Sequence, residues 1–258
     1  MFASLRDRLS GLLDLALPRC CAACESPDEL AAPLCQRCAQ GLLVQVGQRY
    51  CPRCGSTVAE GLSVDDTGCT HCPDPMPRFD RLVRLGSYER PLADVIRRHK
   101  FRSAHGATGY LAGLLAQRIT AEPALVAAAG VELIQPVPLH WRRQWRRGYN
   151  QSALVAAALA KKLGLPQGDE LIRLRHTRPQ AHLSRQSRLE NVRNAFAVPA
   201  RRRRWIDGRH ILLVDDVTTT GATASEAARA LLAAGARRIS LAVLAKADPP
   251  RAFVPRHG

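Results

Sequence analysis

Two groups of residues in this 258-residue chain have types and spacings suited to chemistry. One is the acid pair Asp215 and Asp216. It follows the apolar run Ile211, Leu212, Leu213, Val214 and precedes Thr218, Thr219, Thr220, Gly221, Ala222 and Thr223. The other is a set of nine cysteines, all between Cys20 and Cys72. A buried strand that runs into two carboxylates and then a hydroxyl-rich turn has the outline of a ligand site. The turn leads into a helix N-terminus, whose unpaired N–H groups and partial positive charge suit a phosphate. Carboxylates repel a phosphate, but they suit the vicinal hydroxyls of a ribose and can hold Mg²⁺. A ribose 5-phosphate answers both halves. The loop lacks the G-x-x-x-x-G-K of a P-loop and the G-x-G-x-x-G of a dinucleotide site. Helix capping would occupy only one of the two acids.

The cysteines form four C-x-x-C pairs: Cys21/Cys24, Cys35/Cys38, Cys51/Cys54 and Cys69/Cys72. Two residues between thiols let one tight turn present both sulfurs to a single ion, and four thiolates complete a tetrahedral Zn²⁺ site. Gly55 after Cys54 suits the positive φ of a metal knuckle, whereas Glu25 after Cys24 makes the first knuckle less regular. Spacing admits sequential pairing, 21/24/35/38 and 51/54/69/72, and equally a cross-braced arrangement, so one or two structural zinc ions are implied. Cys20 is a spare thiol able to replace Cys21, and His71 reads as solvent-facing. Closed Cys₄ sites leave no open coordination position, which assigns this stretch to architecture or partner recognition.

These residues need elements to hold them. Residues 2–17 read as an amphipathic helix, too short and charged to span a bilayer and lacking signal-peptide order, so a cytoplasmic protein without a membrane span is expected. The prolines at 73–77 mark a boundary. This gives an N-terminal helix over 1–18, a cysteine-rich module over 19–76 and a larger domain over 77–258. Strands are expected at 82–88, 131–136, 211–214 and 239–244. Helices are expected at 91–100, 110–129 with a break at Pro123, 152–163 and 224–234, with a long arginine-rich stretch, 173–204, lacking apolar periodicity. Alternating strands and helices predict an α/β fold with a mostly parallel sheet, whose ligands sit beyond the strand C-termini. The net charge of +16, from 38 Lys and Arg against 22 Asp and Glu, suits an anionic partner without choosing among nucleic acid, phosphorylated substrate and acidic membrane.

The stretch LLVDDVTTTGAT resembles the phosphoribosyl pyrophosphate (PRPP) motif of type I phosphoribosyltransferases. The block PVPLHWRRQWRRGYNQS resembles the PVPLH…RGFNQ block of the ComF/GntX competence-protein family, with Tyr149 for the usual Phe. RHTRPQAHLSRQSRLENVRNAF resembles that family's T-x-x-Q…R-x-x-N-V…A-F segment, and the four C-x-x-C pairs complete the arrangement. The resemblance implies a type I phosphoribosyltransferase fold, a central parallel sheet flanked by helices with a hood or flexible loop over 173–196, preceded by a double zinc ribbon. It implies that Asp215 and Asp216 contact ribose hydroxyls and Mg²⁺, and that Thr218, Thr219, Thr220, Gly221, Ala222 and Thr223 hold the 5-phosphate. Pro138 and Leu139 would lie on the pyrophosphate loop with Arg147 nearby, while Lys100, Arg102 and Arg188 would add charge against the phosphates. Thr219 stands where purine-salvage members carry an Asp that assists proton removal from the base, which speaks against purine salvage.

Three functions follow as expectations. One is transfer of phosphoribosyl from PRPP to an unidentified acceptor, the pentosyl-transfer chemistry of nucleoside metabolism. Another is a DNA-uptake role that uses basic surfaces on single-stranded DNA together with other DNA-uptake proteins. The third is a PRPP-sensing regulator without turnover.

Overall fold

The computed structural model describes residues 20–27, 33–99, 105–126, 130–140, 148–175 and 185–248. The expected helix over 2–17 lies outside them, as do Lys100, Arg102, Arg147 and the WRRQWRR segment.

The described elements, in chain order, are α1 (Gln36–Gly47), β1 (Arg81–Ser87), α2 (Leu92–His99), α3 (His105–Thr120), α4 (Pro123–Val126), β2 (Leu133–Pro136) and α5 (Gln151–Leu163). After them come β3 (Ile172–Arg173), α6 (Arg185–Val192), β4 (Phe196–Ala197), a 3₁₀ helix (Ala200–Trp205), β5 (His210–Thr218), α7 (Ala222–Leu232) and β6 (Arg238–Lys246). Four strands form one parallel sheet in the order β1-β6-β5-β2, and β3 pairs antiparallel with β4. Alternation along β5 sorts the core into two layers. Leu212 and Val214 face Leu111, Leu115, Val155 and Leu159 of α3 and α5, while Ile211 and Leu213 face Ala224, Ala227, Ala228 and Leu231 of α7.

Several elements differ from the sequence expectation. β5 continues through both acids to Thr218 instead of stopping at Val214, because β6 pairs with it as far as Thr218↔Lys246. The described parts of the arginine-rich stretch contain the end of β3, then α6, β4 and the 3₁₀ helix, which their polarity concealed. Helix α1 runs through Cys38 and had no periodic signal, since its buried residues are only Cys38, Leu42 and Gln45.

The cysteine-rich segment covers the exposed edge of the sheet. β1 is an edge strand, and the amide of Leu82 donates to the Pro52 carbonyl at 2.6 Å, closing part of an edge that would otherwise be open to association. Leu42 and the buried cysteines 21, 35 and 38 join the same core cluster as Val83, Leu92 and Ile96. A polar lock fastens the second cysteine cluster to the sheet. Arg84 on β1, 1% exposed, donates to Thr57 Oγ1 at 2.8 Å, lies 3.6 Å from Asp248 and sits over the Tyr50 ring. Thr57 donates from its own hydroxyl to Asp248 at 2.7 Å, and Lys246 lies 3.6 Å from the same carboxylate. Burial pushes the Arg84 guanidinium and the Lys246 ammonium downward in pKa, and Asp248 opposes both shifts. Asp248→Asn leaves two desolvated cations with no anion between them. It is expected to lower unfolding stability by about 2 kcal/mol in urea titrations, the buried-pair cost discounted for partial exposure of Asp248; an unchanged midpoint would remove this lock from the account.

Candidate functional site: the C-terminal end of β5 and the cysteine clusters

The ladder between β2 and β5 ends at Pro136↔Val214, with a last bond from the Val137 amide to the Val214 carbonyl at 2.8 Å. Beyond that point β5 has a neighbour only on its β6 side, and the space left beside Asp215 is filled by the first turn of α5. Asn150 caps that helix by accepting from the Ser152 amide at 3.1 Å. Its side-chain amide donates to the Val137 carbonyl at 3.1 Å, tying the helix start to the end of β2. Ser152 Oγ then donates to Asp215 Oδ1 at 2.8 Å.

Both acids also accept from the main chain. The Asp216 amide donates to Asp215 Oδ1 at 2.9 Å and the Val217 amide to Asp216 Oδ1 at 2.7 Å, so each carboxylate is oriented by the backbone that follows it. Asp216 lines a small pocket with Ile96, Thr108, Leu111, Gln151, Val155 and Leu244. The two carboxylates therefore both meet α5, although neighbours on a strand begin by pointing to opposite faces.

Thr218 is buried at the strand end, Thr219 and Thr220 are half-buried in the turn, and Gly221 takes φ 77°, the left-handed conformation that a glycine adopts without strain. Gly221 is the N-cap of α7 and has no side chain to accept from the first-turn amides of the helix, which begins at Ala222 and Thr223. Within the turn the Ala222 amide makes a long contact of 3.4 Å to Thr220 Oγ1. Pro138 and Leu139 are half-buried just past β2, at the same end of the sheet. Arg188 falls within α6, but its side chain is outside the described set, as are Lys100, Arg102 and Arg147 altogether. Asn150 and Ser152 were not singled out as site residues from sequence, although NQS closes the PVPLH block quoted above.

The cysteines form two groups in sequential pairing: Cys21, Cys24, Cys35 and Cys38, then Cys51, Cys54, Cys69 and Cys72, with all ligand atoms of a group within 4.8 Å of one another. Four sulfurs about 2.3 Å from a tetrahedral Zn²⁺ lie about 3.8 Å apart, from Zn–S geometry. The Cys24–Cys35, Cys51–Cys72 and Cys54–Cys69 sulfur pairs are 3.7, 3.6 and 3.8 Å apart, so both groups fit zinc without rearrangement. Cys20 is exposed and Cys21 occupies the cluster, and His71 is exposed and outside it.

The two knuckles share one geometry. Gly55 and Glu25 have φ of 76° and 62°, and their amides donate to the carbonyls of Cys51 and Cys21 at 2.8 and 2.9 Å. Glu25 thus takes the conformation expected of a glycine. Hydrogen bonding from Cys51 holds Cys54 down at about 4 and pushes Cys51 up. Burial works against ionising Cys21, yet N–H donors led by Cys35 outweigh it and lower the thiol to about 6.

Residues 12–74 match the double zinc ribbon domain family, and residues 150–257 match the phosphoribosyl transferase domain family. DNA utilization protein YhgH of Salmonella typhimurium is 34% identical over 229 residues, 88% of this chain and 96% of that protein. Competence protein F of Haemophilus influenzae is 35% identical over 199 residues, 77% of this chain and 85% of its own. Competence protein ComFC of Bacillus subtilis is 33% identical over 103 residues, 40% of this chain and 39% of its own. A zinc double ribbon joined to a parallel α/β phosphoribosyltransferase domain, with relatives of this kind over most of its length, places the chain in the ComF family.

Proposed function

We propose that the end of β5 binds PRPP with Mg²⁺ and transfers its phosphoribosyl group to an acceptor. The observation that carries this reading is the pair of adjacent carboxylates, positioned by Ser152 and the backbone, directly ahead of a helix N-terminus capped by Gly221. Asp215 and Asp216 take the ribose hydroxyls and offer the anionic oxygens that a Mg²⁺ bound to phosphates needs. Thr218, Thr219, Thr220, Gly221, Ala222 and Thr223 hold the 5-phosphate through hydroxyls and the α7 amides. Pro138 and Leu139, beside this end of the sheet, flank the departing pyrophosphate. Fixed donors around the leaving anion lower the barrier as positive charge develops on the sugar ring. Mg²⁺, when bound, neutralises phosphate charge.

The test separates binding from turnover. Calorimetry should show Mg-dependent PRPP binding that weakens at least about a hundredfold in Asp215→Asn with Asp216→Asn, the loss of two charge-assisted contacts. Unchanged affinity in that double variant would sink the assignment. Pyrophosphate released on adding candidate acceptors identifies an enzyme; tight binding without release identifies a PRPP sensor.

A DNA-uptake role stands beside this reading, by likeness to relatives named for competence and DNA utilization. One structural observation favours single-stranded DNA as a partner: the 3₁₀ helix presents four consecutive arginines followed by Trp205, 48% exposed, with Arg204 stacked on its ring 5.2 Å from the centroid. Arginines that track phosphates and an aromatic face that stacks on bases form such a platform. Replacing Arg201, Arg203 and Arg204 with Ser should flatten the slope of log affinity against log salt by about 2, at roughly 0.7 per phosphate contact. A slope that does not move would assign DNA binding elsewhere.

The double ribbon serves as architecture in this proposal. Its second cluster has a core of only Cys51, Cys54 and Val58 with Val64, Cys69 and Cys72 around it, too little to fold without metal. Elemental analysis should find about two zinc ions per chain, and Cys54→Ser about one, with a large loss of thermal stability. Full stability after chelation of both ions would contradict the structural role.

A further inference from the structure

The first turn of α5 carries a polar group that the site described above leaves unused. Gln151 is 3% exposed, and its Nε2 has no hydrogen-bond partner among the described residues. It lines the same pocket as Asp216, with Thr108 and the hydrocarbon of Ile96, Leu111, Val155 and Leu244 completing the wall. A buried amide left without an acceptor costs folding stability, and such groups in native proteins commonly await a ligand or catalytic partner. Its neighbour on the helix, Ser152, already donates to Asp215. Consecutive residues of α5 thus lie near the two carboxylates, Ser152 bonded to Asp215 and Gln151 lining one pocket with Asp216.

The chemistry of the pair limits what fits between them. Gln151 Nε2 only donates, and an ionised Asp216 only accepts. A carbonyl or phosphate oxygen would satisfy the amide but meet the carboxylate as a second acceptor. An ammonium would satisfy the carboxylate and leave the amide unpaired. A hydroxyl does both, donating its one proton to Asp216 and accepting from Gln151 on a lone pair. The apolar walls give a charged group nothing to bind.

Resting on the reading that Asp215 and Asp216 receive a ribose, we infer that Gln151 reads one ring hydroxyl of that sugar and makes the site selective for ribosyl over deoxyribosyl phosphates. Asp216 accepts the hydroxyl proton, and the Gln151 amide donates to its oxygen. A deoxy sugar leaves the Gln151 amide buried without an acceptor, an arrangement that discriminates against an analogue lacking one hydroxyl.

The test uses the full chain with its zinc, and calorimetric titration with ribose 5-phosphate, 2-deoxyribose 5-phosphate and 3-deoxyribose 5-phosphate in Mg²⁺. Wild type should bind one of the two deoxy sugars markedly more weakly than ribose 5-phosphate. Gln151→Met, of similar size and without the donor, should weaken ribose 5-phosphate by about fivefold and leave that deoxy sugar unchanged, so that discrimination narrows by the worth of one hydrogen bond. Equal weakening for all three sugars would mean a packing role and overturn the inference, as would no change for any. Should Gln151→Met lose zinc or thermal stability, Gln151→Asn, which keeps the amide but withdraws it by one methylene, is expected to give the same narrowing. Wild type binding all three sugars equally would overturn the inference without any variant, while leaving the PRPP reading intact. Failure of wild type to bind either ribose 5-phosphate or PRPP would overturn both.

Discussion

A parallel strand that outlasts its neighbour on one side has to satisfy its free flank by other means, and the site depends on how β5 does so. β2 stops pairing at Val214, while β6 continues to Thr218. The two acids are therefore held to a rigid ladder on one side and face a gap on the other. Asn150 and Ser152 bridge this gap, one fixing α5 to the last residues of β2 and the other fixing Asp215 to α5. The carboxylates owe their geometry to a strand mismatch as much as to their own identity.

Much of this was legible in the residues because it rests on local chemistry. Metal knuckles need two cysteines two residues apart, and the spacing alone gave eight ligands; sulfur distances then chose sequential pairing over a cross-brace. The apolar run before Asp215 marked a buried strand for the same local reason. What was hidden depended on partners distant in sequence. Two adjacent aspartates are poor strand formers and read as the end of the strand, whereas pairing with β6 carries β5 past Val214 to Thr218. Helix α1 escaped notice because its buried face includes a metal ligand and a glutamine, which do not register as a stripe. Glu25 was read as an irregularity, yet it adopts the same left-handed turn as Gly55, because the bonds around Cys21 override the small penalty for a side chain there. Ser152 lies 63 residues from the carboxylate it orients, and no periodicity reports such a contact.

The zinc ribbon is mechanically continuous with the turn that follows β5, although the two are far apart in the chain. Lys246 pairs with Thr218 across the sheet, and the Ala247 amide donates to the Thr218 carbonyl at 2.8 Å. The next residue, Asp248, receives the Thr57 hydroxyl three positions after Cys54. Thr218, the first residue of the proposed phosphate-binding turn, is thus anchored by a segment that is itself anchored to the second cysteine cluster. Four thiolates on Zn²⁺ carry a net charge of −2, and the buried Arg84 and Lys246 bring two positive charges to this junction against a single Asp248. The local excess of positive charge that would be costly beside an apolar sheet is offset by the metal site behind it. The second cysteine cluster, the edge strand β1 and the end of β5 are consequently joined through Asp248, so the ribbon is fastened to the same segment that anchors Thr218.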